Sequence, residues 1–169
     1  LEFRRVLFRS QMGTVRNILF IMCDQLRWDY LSCTGHPTLQ TPNIDRLAKM
    51  GMRFDKCFVQ SPVCGPSRAS FYTGRTVFAH GATWNFVPLP IGEMTLGDYL
   101  APKGVRTAVA GKTHFRADTD GMARLGLTRD TDVGLRVSEG GFEPWERDDG
   151  EHPDPIVSPS LPYNAFLRS

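Results

Sequence analysis

Nowhere in the 169 residues does an apolar run approach the roughly 20 that a helix needs to cross a bilayer, so no membrane-spanning helix is expected. Cysteine is sparse. Cys23, Cys33, Cys57 and Cys64 form no C-x-x-C pair, which argues against both a zinc ribbon and a disulfide framework. Net charge is also missing once the first ten residues, LEFRRVLFRS, are set apart. Arg4, Arg5 and Arg9 against Glu2 make +2, which equals the formal charge of the whole chain. The rest is neutral, so neither nucleic acid nor a membrane surface is an expected partner. No internal repeat is present.

The remaining composition is ordinary for a globular domain: 41% hydrophobic and 22% charged residues. Residues 1–10 differ in character from the rest of the chain and read as an artefact of the coding sequence or a leader, with the folded part expected over 11–169. A strand-like run begins soon after Met12. That leaves no room for a signal peptide, and a cytoplasmic location is expected.

Asn17–Cys23, NILFIMC, is continuously apolar and ends at Asp24, the pattern of a strand buried on both faces. In TPNIDRLAKMG, Thr41 suits a cap, Pro42 the first helical position and Gly51 the stop, with Ile44, Leu47 and Ala48 facing inward. Met52–Val59 reads as a short strand with Phe54 and Phe58 on one side. Thr95 suits the cap of a further helix, with Leu96, Tyr99 and Leu100 facing in. Val105–Gly111 reads as a second buried strand. This order predicts an α/β sandwich with a mostly parallel central sheet flanked by helices. Ligands in such folds sit at the carboxyl ends of strands, where Asp24 and GKTH (Gly111–His114) fall. From about residue 117 the signal fades, and prolines with seven acidic residues over Glu139–Asp154 read as an irregular surface excursion.

The informative stretch is Val63–Arg75, VCGPSRASFYTGR. Pro66 fits the first turn of a helix, and Gly74 fits its end. Cys64 then stands at a helix N-terminus, where unpaired N–H groups and the dipole favour negative charge. Arg68 is one turn on, with a planar fork suited to an oxyanion. A cysteine-phosphatase loop needs arginine where Ser70 stands. A serine-hydrolase elbow fails at Ala69, and no P-loop GK[ST] occurs. The other reading of Cys64 is a buried structural thiol. Cys23, Cys33 and Cys57 read as core thiols, and His36 and His80 have no assigned role. Ser67 is expected to cap the helix.

C-x-P-S-R, matched by Cys64, Pro66, Ser67 and Arg68, resembles the signature of the formylglycine-dependent sulfatases of the alkaline-phosphatase superfamily. Asp24-Gln25 after the first strand, TPNIDRLAKMGMRFDKCF and GKTH resemble further family elements, over about Asn17 to Phe115. The resemblance implies an N-terminal portion of such a sandwich, incomplete as given, that hydrolyses a small-molecule sulfate monoester. It implies that Cys64 is the precursor of formylglycine, installed by a formylglycine-generating or cysteine-type sulfatase-maturating enzyme. The hydrated aldehyde offers one hydroxyl to attack sulfur and a second to expel sulfate. Asp24, Gln25 and residue 64 are implied ligands of one divalent cation. Gln25 replaces the usual second aspartate, leaving calcium the default and manganese an alternative. Arg68 is implied to stabilise the formylglycine oxygen, Lys112 and His114 to contact the substrate, and Asn85 to bind it. His114 could equally be a satisfied loop histidine. Gln25 also suits a phosphonate monoester or phosphodiester hydrolase of the same superfamily. A third expectation is an inactive truncated fragment, because no second metal-ligand pair is evident in 117–169.

Overall fold

The computed structural model describes residues 15–114 and 116–147, which fall into two compact units divided after Met52. Residues 1–10, and 148–169 of the expected excursion, lie outside the described residues.

The first unit contains two single-turn helices, Trp28–Tyr30 and Ser32–Thr34, and helix α1, Pro42–Met50. Pro42 takes the first turn as expected. Thr41 sits at the N-cap, but its hydroxyl accepts no bond from the helix's own N–H groups. It donates to the Asp45 carboxylate at 3.0 Å and accepts the N–H of Ser32 at 3.0 Å. The Ser32 hydroxyl and the Cys33 N–H also donate to Asp45, at 2.7 and 2.9 Å. These donors, Ser32 foremost, hold the Asp45 carboxyl below its usual range. One carboxylate therefore ties α1 to the turn before it.

Two expectations fail in this unit. Asn17–Cys23 forms no strand, and Ile18, Leu19, Phe20 and Ile21 are exposed. The stripe on α1 is not inward either, since the helix buries no residue and Leu47 is largely exposed. Apolar periodicity identifies which face would be buried. It does not supply the strand or second layer needed to bury it.

The second unit carries the core. Helix α2, Cys64–Thr73, buries Gly65, Pro66, Arg68, Ala69, Ser70 and Tyr72. Gly74 ends it in the left-handed conformation (φ 67°), a geometry that penalises any Cβ. Short helix α3, Val77–His80, comes next. Strand β1, Pro88–Leu89, leads to α4, Leu96–Leu100, which has a full capping box between Thr95 and Asp98. Strand β2 is Ala108–Gly111, β3 is Arg116–Ala117, α5 is Thr119–Arg124, α6 is Asp132–Ser138 and β4 is Glu143–Arg147. The strands pair in parallel as β1 with β3 and β2 with β4, so the chain is α/β with parallel pairing, as expected. Ala69, Tyr72, Ala82, Leu89 and Phe142 form the core, with Val109 packed against it. The rings of Tyr72 and Phe142 meet edge-on, with centroids 5.3 Å apart.

Met52–Val59 forms no strand, and Phe54 and Phe58 are exposed. Leu96 and Tyr99 also point largely outward, and α4 buries Gly97 instead. A Cβ at Gly97 would lie 2.6 Å from the Gly140 carbonyl, so backbone meets backbone there. β2 alternates between exposed and half-buried residues rather than being buried on both faces. The stretch after 117 is not irregular throughout, since α5, α6 and β4 occupy much of 119–147. β4 even includes Pro144, which pairs with Val109, and the register shifts immediately afterwards. A proline without an N–H next to a bulge is how a strand accommodates the lost donor.

Candidate active site

Of the residues singled out in the sequence, Cys64, Arg68, Asn85, Lys112 and His114 lie in the second unit, and Asp24 and Gln25 in the first. Cys64 is the first residue of α2 and is half-buried. The N-cap, Val63, has no side chain able to serve the first turn, and Ser67 makes no capping bond, contrary to expectation. The cap comes from elsewhere: the Gly65 N–H donates to Asn85 Oδ1 at 2.8 Å. A carbonyl oxygen bound to an N–H fixes the flip of this amide, so Asn85 Nδ2 is left as the donating end.

Gly65 is glycine for a steric reason. A Cβ there would lie 2.9 Å from Asn85 Oδ1, 3.0 Å from Asn85 Cα and 3.2 Å from the carbonyl oxygen of His114. The start of α2, the Asn85 loop and the loop after β2 therefore converge next to Cys64.

Arg68 is 6% exposed, and its Nη1 donates to the carbonyl of Lys112 at 2.7 Å. The guanidinium thus joins the Cys64 helix to the GKTH loop. Thr113, between Lys112 and His114, is completely buried, and its hydroxyl donates to Glu139 Oε2 at 3.2 Å. His114 has φ 52°, and so does Gln25. Among the described residues these are the two non-glycine positions with positive φ. Strained backbone of this kind collects at functional sites.

On the far side of α2, the Ser70 hydroxyl meets His80 Nε2 at 2.9 Å, and the Ala82 N–H donates to His80 Nδ1 at 3.1 Å. With Nδ1 accepting, the neutral ring carries its proton on Nε2 and gives it to Ser70. Burial pushes the His80 imidazole below its ordinary value. This pair, Glu139 and the Gly65–Asn85 bond have no local spacing signal in the sequence.

Donors for a hard cation are present in the first unit. Asp24 offers a carboxylate and Gln25 an amide oxygen, both on exposed residues after the apolar run. Among the described residues, no three His, Cys, Asp or Glu side chains form a cluster fit to hold a metal ion. No helix among them is long and apolar enough to cross a membrane. A cavity of about 240 Å³ lined by Leu89, Ile91, Met94, Thr95 and Met122 contains none of these site residues.

The family model described as Sulfatase matches residues 16–134. The chain is 40% identical to human arylsulfatase A over 111 residues, covering 62% of this chain and 22% of that protein. It is 32% identical to the N-acetylglucosamine-6-O-sulfatase of Bacteroides thetaiotaomicron over 136 residues, covering 80% and 24%. The crystal structure of the phosphonate monoester hydrolase of Agrobacterium radiobacter superposes with a TM-score of 0.60 at 31% identity, covering 73% of this chain and 24% of that one. The chain thus spans about a quarter of the length of these relatives.

Proposed function

Because the chain belongs to the sulfatase family, we propose that the protein it comes from is a sulfuric ester hydrolase that cleaves a sulfate monoester at residue 64. One observation carries the reading. Cys64 opens a helix whose buried Arg68 is bonded to the loop bearing Lys112 and His114, so the C-x-P-S-R and GKTH elements meet in one place.

Oxidised to formylglycine by a separate maturating enzyme and hydrated, residue 64 would supply one hydroxyl to attack sulfur and another to release sulfate. Asp24 and Gln25 are the residues that would hold a divalent cation, which supplies Lewis-acid polarisation when bound. Hard oxygen donors suit calcium, and Gln25, being uncharged, also admits manganese. The chain's own groups do the rest. The first-turn N–H groups of α2 and Arg68 favour negative oxygen at residue 64. Lys112 neutralises charge on the sulfuryl oxygens, and His114 protonates the departing alkoxide. Asn85, its oxygen already engaged by Gly65, presents Nδ2 to an anionic oxygen.

A phosphonate monoester hydrolase is the second reading, favoured by Gln25 and by the 0.60 TM-score to such an enzyme. Mass spectrometry of the peptide spanning Cys64, from full-length protein made in a host with the maturating enzyme, should show the thiol replaced by an aldehyde. Sulfate and phosphonate aryl esters assayed in parallel should favour sulfate. An active enzyme with an unmodified thiol, or C64A with undiminished turnover, would sink the reading.

A further inference from the structure

The loop from Lys112 to His114 has no regular secondary structure, yet the proposed reaction asks it to hold two side chains in fixed directions. His114 also keeps a positive φ of 52°, uncommon for a residue with a β-carbon, although histidine takes it more readily than most. One constraint is Arg68 on the Lys112 carbonyl. A second arises far along the chain. Thr113 is 0% exposed, and its hydroxyl reaches the carboxylate of Glu139, which is itself 6% exposed.

A carboxylate is costly to bury, and packing alone does not account for keeping one there. The carboxylate is also delivered by rigid backbone. Glu139 caps the C-terminus of α6, with its N–H on the carbonyls of Leu135 and Arg136 at 3.1 Å each. Gly140 and Gly141 come next at φ 62° and 78°, and the chain turns directly into β4. The Thr95 hydroxyl donates to the Gly140 carbonyl, clamping this turn onto the start of α4. The Glu143 N–H donates to the Thr107 carbonyl at 2.9 Å, and β4 then runs beside β2 up to Gly111. The same short segment therefore aligns the strand that ends at the loop and grips the residue in the middle of it.

We propose that Glu139, acting through Thr113, is a positioning residue for the reaction at residue 64. It holds the backbone between Lys112 and His114 so that both side chains leave toward the transferring group. The inference rests on the sulfatase reading for its catalytic half, while the anchorage itself is a property of the fold.

The test uses full-length protein with T113V, which keeps the shape and removes the hydroxyl, with T113S and E139Q, which keep a donor and an acceptor, and with E139A. For aryl sulfate hydrolysis, T113V and E139A should lower kcat about 10-fold or more with KM within about twofold, since misdirected groups cost transition-state rather than ground-state binding. T113S and E139Q should recover most of the loss. Hydrogen exchange, read without substrate, should accelerate at residues 112–114 in T113V while α2 stays protected. Unchanged kcat and unchanged exchange in T113V would overturn the proposal. So would a kcat loss that tracks a global fall in Tm with no local change in exchange. If the wild type hydrolyses no sulfate ester, the sulfatase reading and the catalytic half fail together, and faster exchange at 112–114 alone upholds the anchorage.

Discussion

The guanidinium of Arg68 and the carbonyl of Lys112 are 2.7 Å apart and 44 positions apart in sequence, and their bond ties the helix that starts at Cys64 to the loop after β2. A cation buried against a carbonyl is a structural tie as well as a source of charge. Replacing it should therefore affect stability and chemistry together.

R68A should lower the unfolding free energy by about 1–3 kcal/mol, because the Lys112 carbonyl loses a buried partner. Chemical denaturation measures this. R68K should recover part of the stability but little of the turnover, since an ammonium cannot reproduce the planar fork. Equal recovery of both would show that only charge matters at this position.

G65A should force Asn85 and the His114 carbonyl away from α2, because its Cβ would lie 2.9–3.2 Å from their atoms. An overpacking penalty of about 1–3 kcal/mol is expected, read as a lower Tm. N85A removes the acceptor for the Gly65 N–H and should cost about 1 kcal/mol, the usual value of a lost cap. If the clash with Asn85 is the cause, G65A should cost less in the N85A background than alone.

His80 gives a pH dependence with a definite sign. Its pKa in the fold is lowered, chiefly by burial, so the unfolded chain binds a proton more readily than the folded one. Stability from the neutral ring should be fully present above about pH 6.5 and be lost progressively as the pH falls from there toward the folded pKa. Protonation would also place an N–H on Nδ1, facing the Ala82 N–H. Denaturation midpoints measured across this interval should fall with pH in the wild type and flatten in H80Q.

F142A should remove the edge-on partner of Tyr72 and open the small core, costing about 3–5 kcal/mol. Denaturant unfolding of the second unit reports it. A loss below about 1 kcal/mol would mean that the site collapses around the change.

The helices legible in the sequence are those with chemical punctuation. Pro42 and Gly51 bracket α1, Pro66 and Gly74 bracket α2, and Thr95 begins α4. Strands are less legible because a strand needs a partner as well as a pattern. NILFIMC has the pattern, but among the described residues it has no ladder. β4 carries Pro144 between Glu143 and Trp145 in acidic surroundings, yet it pairs with β2. In the candidate site, Cys64, Arg68 and GKTH are legible from their order and residue types. The bonds from Thr113 to Glu139, from Gly65 to Asn85 and from Ser70 to His80 are not, because each spans 10 or more positions and leaves no periodic trace. Ser67 illustrates the reverse error: it is a good capping residue by type, but the cap is supplied by Asn85.

The separation between Arg68 and Lys112 also has a meaning in time. On a ribosome adding about 5–20 residues per second, several seconds pass between the emergence of the arginine and that of the carbonyl it will bind. Glu139, 26 residues beyond Thr113, arrives later still. Throughout that interval the nascent Cys64 segment lacks the partners that later enclose it. Slowing or speeding translation between these codons would lengthen or shorten the time for which any modifying enzyme meets an open chain.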